Sequence, residues 1–134
     1  MRRYFYWLPV LTYMGIIFYF SNKPGSQISL PTPDYIAHGA EYFGLGFLTQ
    51  WALRGWNKTN PAHRLTNPPG LGSYLGVLAF CILYGLSDEF HQGFIPGRSP
   101  SLSDLAADTT GAALAQICWW LWTYIHTRNS ISKK

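Results

Sequence analysis

Three stretches of the chain, Tyr4–Phe20, Leu71–Ser87 and Thr109–Ile125, contain no Asp, Glu, Lys, Arg or His, and each is 17 residues long. At about 1.5 Å per residue, that is the short end of the helical length needed to cross a bilayer core. A fourth stretch, Tyr42–Leu53, becomes long enough only if Tyr35, His38 and Glu41 join the same helix. The pattern predicts an all-α membrane protein: a four-transmembrane-helix bundle with helices near 4–21, 33–53, 71–92 and 102–126, in a single domain over 1–134. Charged residues are only 12% of the chain, about half the usual share in soluble domains. No helix carries the continuous charged face of a soluble bundle. Six tryptophans and nine tyrosines, residues that favour membrane interfaces, keep the mean hydropathy near zero.

Punctuation separates the spans. Pro24-Gly25 closes the first, Thr32-Pro33 opens the second as N-cap and first helical residue, and Arg54-Gly55 closes it. Trp56–Gly70, with Pro61, Pro68 and Pro69, reads as an irregular loop. Pro96-Gly97 makes a turn, and Ser101 with Asp104 is a capping-box-like start to the last helix. Arg2 and Arg3 before an apolar core have the outline of a signal peptide, but no small-x-small cleavage pattern stands near Ser21, so a retained first span is expected. Cys81 and Cys118 sit inside apolar runs and suggest neither a disulfide nor a metal framework.

Basic residues set the expected orientation. With both termini cytoplasmic, the inner side collects Arg2, Arg3, Arg54, Lys58, Arg64, Arg128, Lys133 and Lys134, and the outer side keeps Lys23 and Arg98. Trp7, Trp51, Trp56, Trp119, Trp120 and Trp122 then form an inner aromatic belt. Every acid falls on the outer side: Asp34, Glu41, Asp88, Glu89, Asp104 and Asp108, joined by His38 and His91. The net charge of +4 therefore averages two unlike ends. Scattered loop anchors of this kind do not make a nucleic-acid surface.

Asp34, His38, Glu41 and Tyr42 share one face of the second helix, and Tyr84, Asp88 and His91 one face of the third, while Asp104 and Asp108 stand a turn apart on the fourth. Carboxylates at membrane depth cost about 2.5–3.5 kcal/mol each unless they face the bundle interior, water or a partner. The groups are therefore expected to meet in one outer cavity, with Arg98 bridging carboxylates through its forked donors. Asp34 and Asp104 also suit ordinary first-turn acids, and Glu89 reads as a solvated or Arg98-paired group. The His-x-x-Glu pair of His38 and Glu41 and the Asp-x-x-His pair of Asp88 and His91 have spacings used in two-helix metal sites. They make His38, Glu41, Asp88, His91 and Asp104 candidate ligands for a divalent metal. Ser99 and Ser101 beside Arg98 can line a phosphate or carboxylate pocket. No HExxH, GxSxG or glycine-rich phosphate loop occurs. Gly72-x-x-x-Gly76, Ala40-x-x-x-Gly44 and the ladder Ala107, Gly111, Ala115 read as small-residue packing stripes.

"HGAEYFGLGFL" from His38 and "SDEFHQGFIPGRSPSLSDLAADTTGAALA" from Ser87 resemble the VanZ-like family of small bacterial membrane proteins. The resemblance covers about Tyr35 to Ala115 without the loop between helices two and three. Asp88, Glu89, Gln92, Pro96, Arg98, Asp104 and Gly111 match the family's positions in order. Two positions depart: Tyr35 stands where a lysine is frequent, and Asp108 where asparagine is common. Asp108 therefore needs a proton, a cation or an added hydrogen bond. The resemblance implies a multi-pass protein of the bacterial cytoplasmic membrane, in a family whose namesake lowers susceptibility to teicoplanin.

The expected function is binding of, or action on, a cell-wall precursor or other lipid-linked envelope ligand. Asp88, Glu41, His38 and His91 would carry acid, base or ligand roles, while Arg98, Gln92 and Ser99 hold an anionic group. The alternative is a non-catalytic protein in which the same network is an ion-paired lock. Ion passage is disfavoured, because nothing charged lies in the inner half of any span.

Overall fold

The computed structural model describes residues 2–27, 33–58 and 69–131. Thr32, most of the proline-rich loop, Lys133 and Lys134 lie outside these residues. Four α-helices, α1 (Leu8–Ser21), α2 (Asp34–Lys58), α3 (Leu71–Gln92) and α4 (Leu102–Ile131), build the chain, and no strand occurs among the described residues.

The first helix is shorter than its apolar run. Pro9 lies in the first turn of α1, where its missing N–H is harmless, but its ring excludes a further α turn before it. Residues Arg2–Trp7 wind as a 3-10 helix instead. The second helix is longer than its punctuation suggests and passes through Gly55 to Lys58. Gly55 is a contact residue rather than a stop, because the Tyr6 ring occupies the space that a Cβ would need. The last helix continues to Ile131, with Arg128 in its final turn facing the negative end of the helix dipole.

Neighbouring helices run antiparallel. Tyr6 meets Trp51 at 5.4 Å and Tyr4 meets Trp56 at 5.3 Å, which sets the 3-10 segment leading into α1 against the end of α2, and Tyr13 of α1 lies against Gly44. Gln50 donates to Ser73 at 3.0 Å, so α3 begins where α2 ends. Gln116 donates to the Gly46 carbonyl at 3.1 Å and His38 meets Asp108, so α4 runs parallel to α2. This α2–α4 pair is the most extensive in the molecule. Gly39 and Gly111 allow it, since a Cβ at Gly111 would collide with the Gly39 carbonyl. A Cβ at Gly72 or Gly76, by contrast, would meet no neighbouring helix within 4 Å among the described residues.

The up-down-up-down order places all six acids at one end, with the α1–α2 and α3–α4 connections. Those connections are clamped where the Gly25 N–H donates to the Pro96 carbonyl at 3.2 Å, next to Gly97 with φ of 76°. A left-handed residue there favours glycine. Arg54, Lys58 and Arg128 mark the opposite end.

The interior holds a small apolar core of Val10, Ile17, Tyr42, Leu45, Ala52, Val77, Cys81 and Ala112. Among the described residues, as many polar or charged side chains as apolar ones are buried, including His38, Gln50, Asp88, Glu89, Gln92, Asp108 and Gln116. Large apolar side chains such as Leu11, Phe18, Phe43, Leu83, Phe90, Leu114 and Ile125 lie exposed on the outside of all four helices. By length and composition, α3 is the one described helix able to cross a membrane, with 22 residues and a mean hydropathy of 1.4. The α-helical part of α1 has only 14 residues, while α2 and α4 bury polar groups along their length, among them His38, Gln50, Asp108 and Gln116.

Candidate functional site: a polar cluster beside an open cavity

Close approach of α2 and α4 at Gly39 and Gly111 brings His38 against Asp108. Their Nδ1 and Oδ1 atoms are 3.0 Å apart, and the pair is buried. The cation or hydrogen bond that Asp108 requires is therefore supplied by His38. The second carboxylate oxygen of Asp108 is buried without a hydrogen-bond partner and points towards Gly85, where a Cβ would stand 3.0 Å from it.

Asp88 and Glu89 are consecutive on α3, so they point about 100° apart and serve different neighbours. Asp88 accepts from Gln92 Nε2 at 2.9 Å. Glu89 reaches the start of α4 and accepts the Ser101 N–H at 2.6 Å. In a capping box that N–H is taken by the acid three residues into the helix. Ser101 Oγ does accept the Asp104 N–H at 3.3 Å, but Glu89 fills the reciprocal place. The Asp104 carboxylate is thereby released from capping. One ligand-capable atom from each of His38, Glu89 and Asp104 lies within 4.8 Å of the other two, the one such group among the described residues.

Next to this cluster opens a cavity of about 560 Å³. Its polar wall is formed by Ser21, Lys23, Gln27, Asp34, His38, Glu41, Asp88, Gln92 and Arg98, and its apolar wall by Ile17, Phe20, Ala37 and Ala40. Arg98 does not bridge carboxylates. Nη1 donates to Gln92 Oε1 at 3.3 Å, Nη2 to the Phe20 carbonyl at 3.2 Å, and Nε to the Lys23 carbonyl at 3.3 Å. The guanidinium thus ties the end of α1 to the turn after α3 while bordering the cavity.

Of the residues singled out in the sequence, His38, Glu41, Asp88, Gln92 and Arg98 share the cavity wall. Asp104 belongs to the cluster behind it, with His38 as the common member. His91 lies outside the cavity lining: its ring packs 4.7 Å from Phe18, and Nε2 sits 3.3 Å from Asn22 Oδ1. Ser99 is exposed on the turn and also outside the lining. The five-residue metal set therefore separates, with Glu41 and Asp88 at the cavity, His91 against α1, and only His38 and Asp104 within ligand distance of a common point. Glu89 is the third residue with an atom near that point. It reads from the sequence as a solvated group, yet it is 6% exposed. A helix wedged between two partners buries adjacent residues on different faces, and helical spacing alone carries no sign of that.

A family model described as VanZ/LLP1 matches residues 5–123. Neither curated proteins nor solved structures give a match. The matched span takes in the α2–α4 glycine contact, the His38–Asp108 pair, the cavity wall and the Arg98 turn, and on that coverage the chain belongs to the VanZ/LLP1 family.

Proposed function

We propose that the protein is a four-span bundle of the bacterial cytoplasmic membrane, with both termini inside, whose outward-facing cavity binds the head of an anionic, lipid-linked cell-envelope ligand. The observation that carries this reading is the divided wall of the cavity. The Lys23 ammonium and the N–H groups that Arg98 keeps beyond its bonds to Gln92, Phe20 and Lys23 offer donors to an anionic head beside Asp34, Glu41 and Asp88 of the same wall, while Ile17, Phe20, Ala37 and Ala40 offer apolar surface to a chain. A volume of about 560 Å³ falls within the usual range for small-molecule sites. The exposed apolar girdle supports membrane residence, since patches of that extent on a soluble monomer are rare. The basic end opposite the acidic one supports the orientation. In a catalytic version, Asp88 and Glu41 act as acid and base beside the bound head group. Lowered susceptibility to teicoplanin-type glycopeptides is the cellular effect proposed for occupying such a ligand.

The reading is tested by lipid analysis of protein purified in mild detergent. Wild type is expected to retain an anionic envelope lipid, and Ala40→Trp, which fills the cavity from an exposed helix position, to lose it. Identical lipid content in the two folded proteins contradicts the reading. A second, non-catalytic reading draws on the Arg98 contacts with the Phe20 and Lys23 carbonyls: the cluster then acts as a lock on the bundle. Under it, Arg98→Ala unfolds the protein rather than emptying it.

A further inference from the structure

We propose that His38, Glu89 and Asp104 bind a divalent first-row transition ion, of the zinc or manganese kind, which ties α2, α3 and α4 together. The proposal does not depend on the lipid-linked ligand.

Four observations converge on it. One ligand-capable atom of each residue lies within 4.8 Å of the others, a separation that closes onto bonds of about 2.0–2.2 Å with side-chain shifts alone. His38 Nδ1 is held by Asp108 at 3.0 Å, which leaves the other ring nitrogen as the donor to a cation. A carboxylate on the far nitrogen is the usual support of a metal-bound histidine, fixing its tautomer and ring plane. Glu89 is 6% exposed, and its Oε1 is buried with no hydrogen-bond partner although Oε2 is satisfied by Ser101. Such an orphaned oxygen in a buried acid requires a partner. Finally, three carboxylates, those of Glu89, Asp104 and Asp108, lie about one imidazole, while the guanidinium of Arg98 bonds Gln92 and main-chain carbonyls rather than any of the three. A dication offsets most of that charge. An imidazole among the donors selects a transition ion over magnesium or calcium, which take oxygen ligands.

The test uses the full chain in detergent, stripped with chelator and titrated with Zn²⁺ and Mn²⁺ by calorimetry, with metal content and melting temperature as companion readouts. Wild type is expected to take up one ion per chain and to melt higher with it. Glu89→Gln and Asp104→Asn are expected to weaken binding by at least about tenfold, which is what losing even a hydrogen-bond partner of a ligand costs a metal site. His91→Gln, outside both the cavity and the cluster, is expected to leave affinity unchanged. Asp104 is only half-buried in the first turn of α4, so its variant keeps the test open if Glu89→Gln does not fold. Absence of binding by wild type, or unaltered affinity in Asp104→Asn, overturns the proposal.

Discussion

His38 and Asp108, 70 positions apart, meet with 3.0 Å between Nδ1 and Oδ1 and join α2 to α4 inside the bundle. Removing one partner of a buried pair leaves the other desolvated and uncompensated, which costs about 3–5 kcal/mol. Asp108→Ala is therefore expected to lose stability on that scale in thermal unfolding of the detergent-solubilised protein. Asp108→Asn keeps an acceptor for the imidazole N–H and is expected to lose clearly less. Equal melting of the two variants would remove the pair from the account.

Glycine substitutions separate real helix contacts from apparent ones. A Cβ at Gly111 would collide with the Gly39 carbonyl, whereas Gly76 has nothing described within 4 Å. Gly111→Ala is expected to destabilise by about 1–3 kcal/mol through forced helix separation. Gly76→Ala is expected to be neutral or to stabilise by up to about 1 kcal/mol through helix propensity. Chemical or thermal unfolding of the two variants side by side measures the contrast.

The Arg98 fork holds the Phe20 and Lys23 carbonyls. Hydrogen bonds from a charged donor contribute about 1.5–3 kcal/mol each at most, and the group is only partly buried, so Arg98→Ala is expected to cost roughly 1–3 kcal/mol. The loss should be local. Faster amide exchange over residues 22–27, with little change in α3, is the expected signature. Arg98→Lys is expected to restore only part of the protection, because an ammonium cannot reproduce the planar fork.

Much of the helical architecture was legible in the sequence because charge-free runs and Pro or Gly punctuation divide the chain. Its misread boundaries share a cause. Gly55 resembles a stop signal and is instead a cradle for the Tyr6 ring, a long-range contact that local patterning does not encode. Gly72 and Gly76 resemble a packing stripe, yet open space stands where a Cβ at either would point. In the polar cluster, the placing of His38, Asp88, Gln92 and Arg98 at one end followed from helix spacing and alternating direction. The separate destinations of Asp88 and Glu89 did not, since they depend on which neighbours flank α3. The contact between His38 and Asp108 was legible only as a need of Asp108 for a partner.

Leu83 lies in the interior of α3 and is 67% exposed. A surface leucine in water tolerates an acid within about 0.5 kcal/mol, but an acid in hydrocarbon costs about 2.5–3.5 kcal/mol on insertion. Leu83→Asp is accordingly expected to reduce membrane-inserted protein severely in fractionated cells. Lys58→Asp, at the end of α2, is expected to leave insertion intact.

The placement of the acidic end and its cavity outside the cell is tested most directly by cysteine labelling. In a background with Cys81→Ser and Cys118→Ser, the variants Ser99→Cys and Lys58→Cys are exposed to a membrane-impermeant maleimide, first in intact spheroplasts and then after lysis. Labelling of position 99 in intact cells, with position 58 reacting only after lysis, is the predicted result. Labelling of position 58 from outside, or of neither position until lysis, contradicts it.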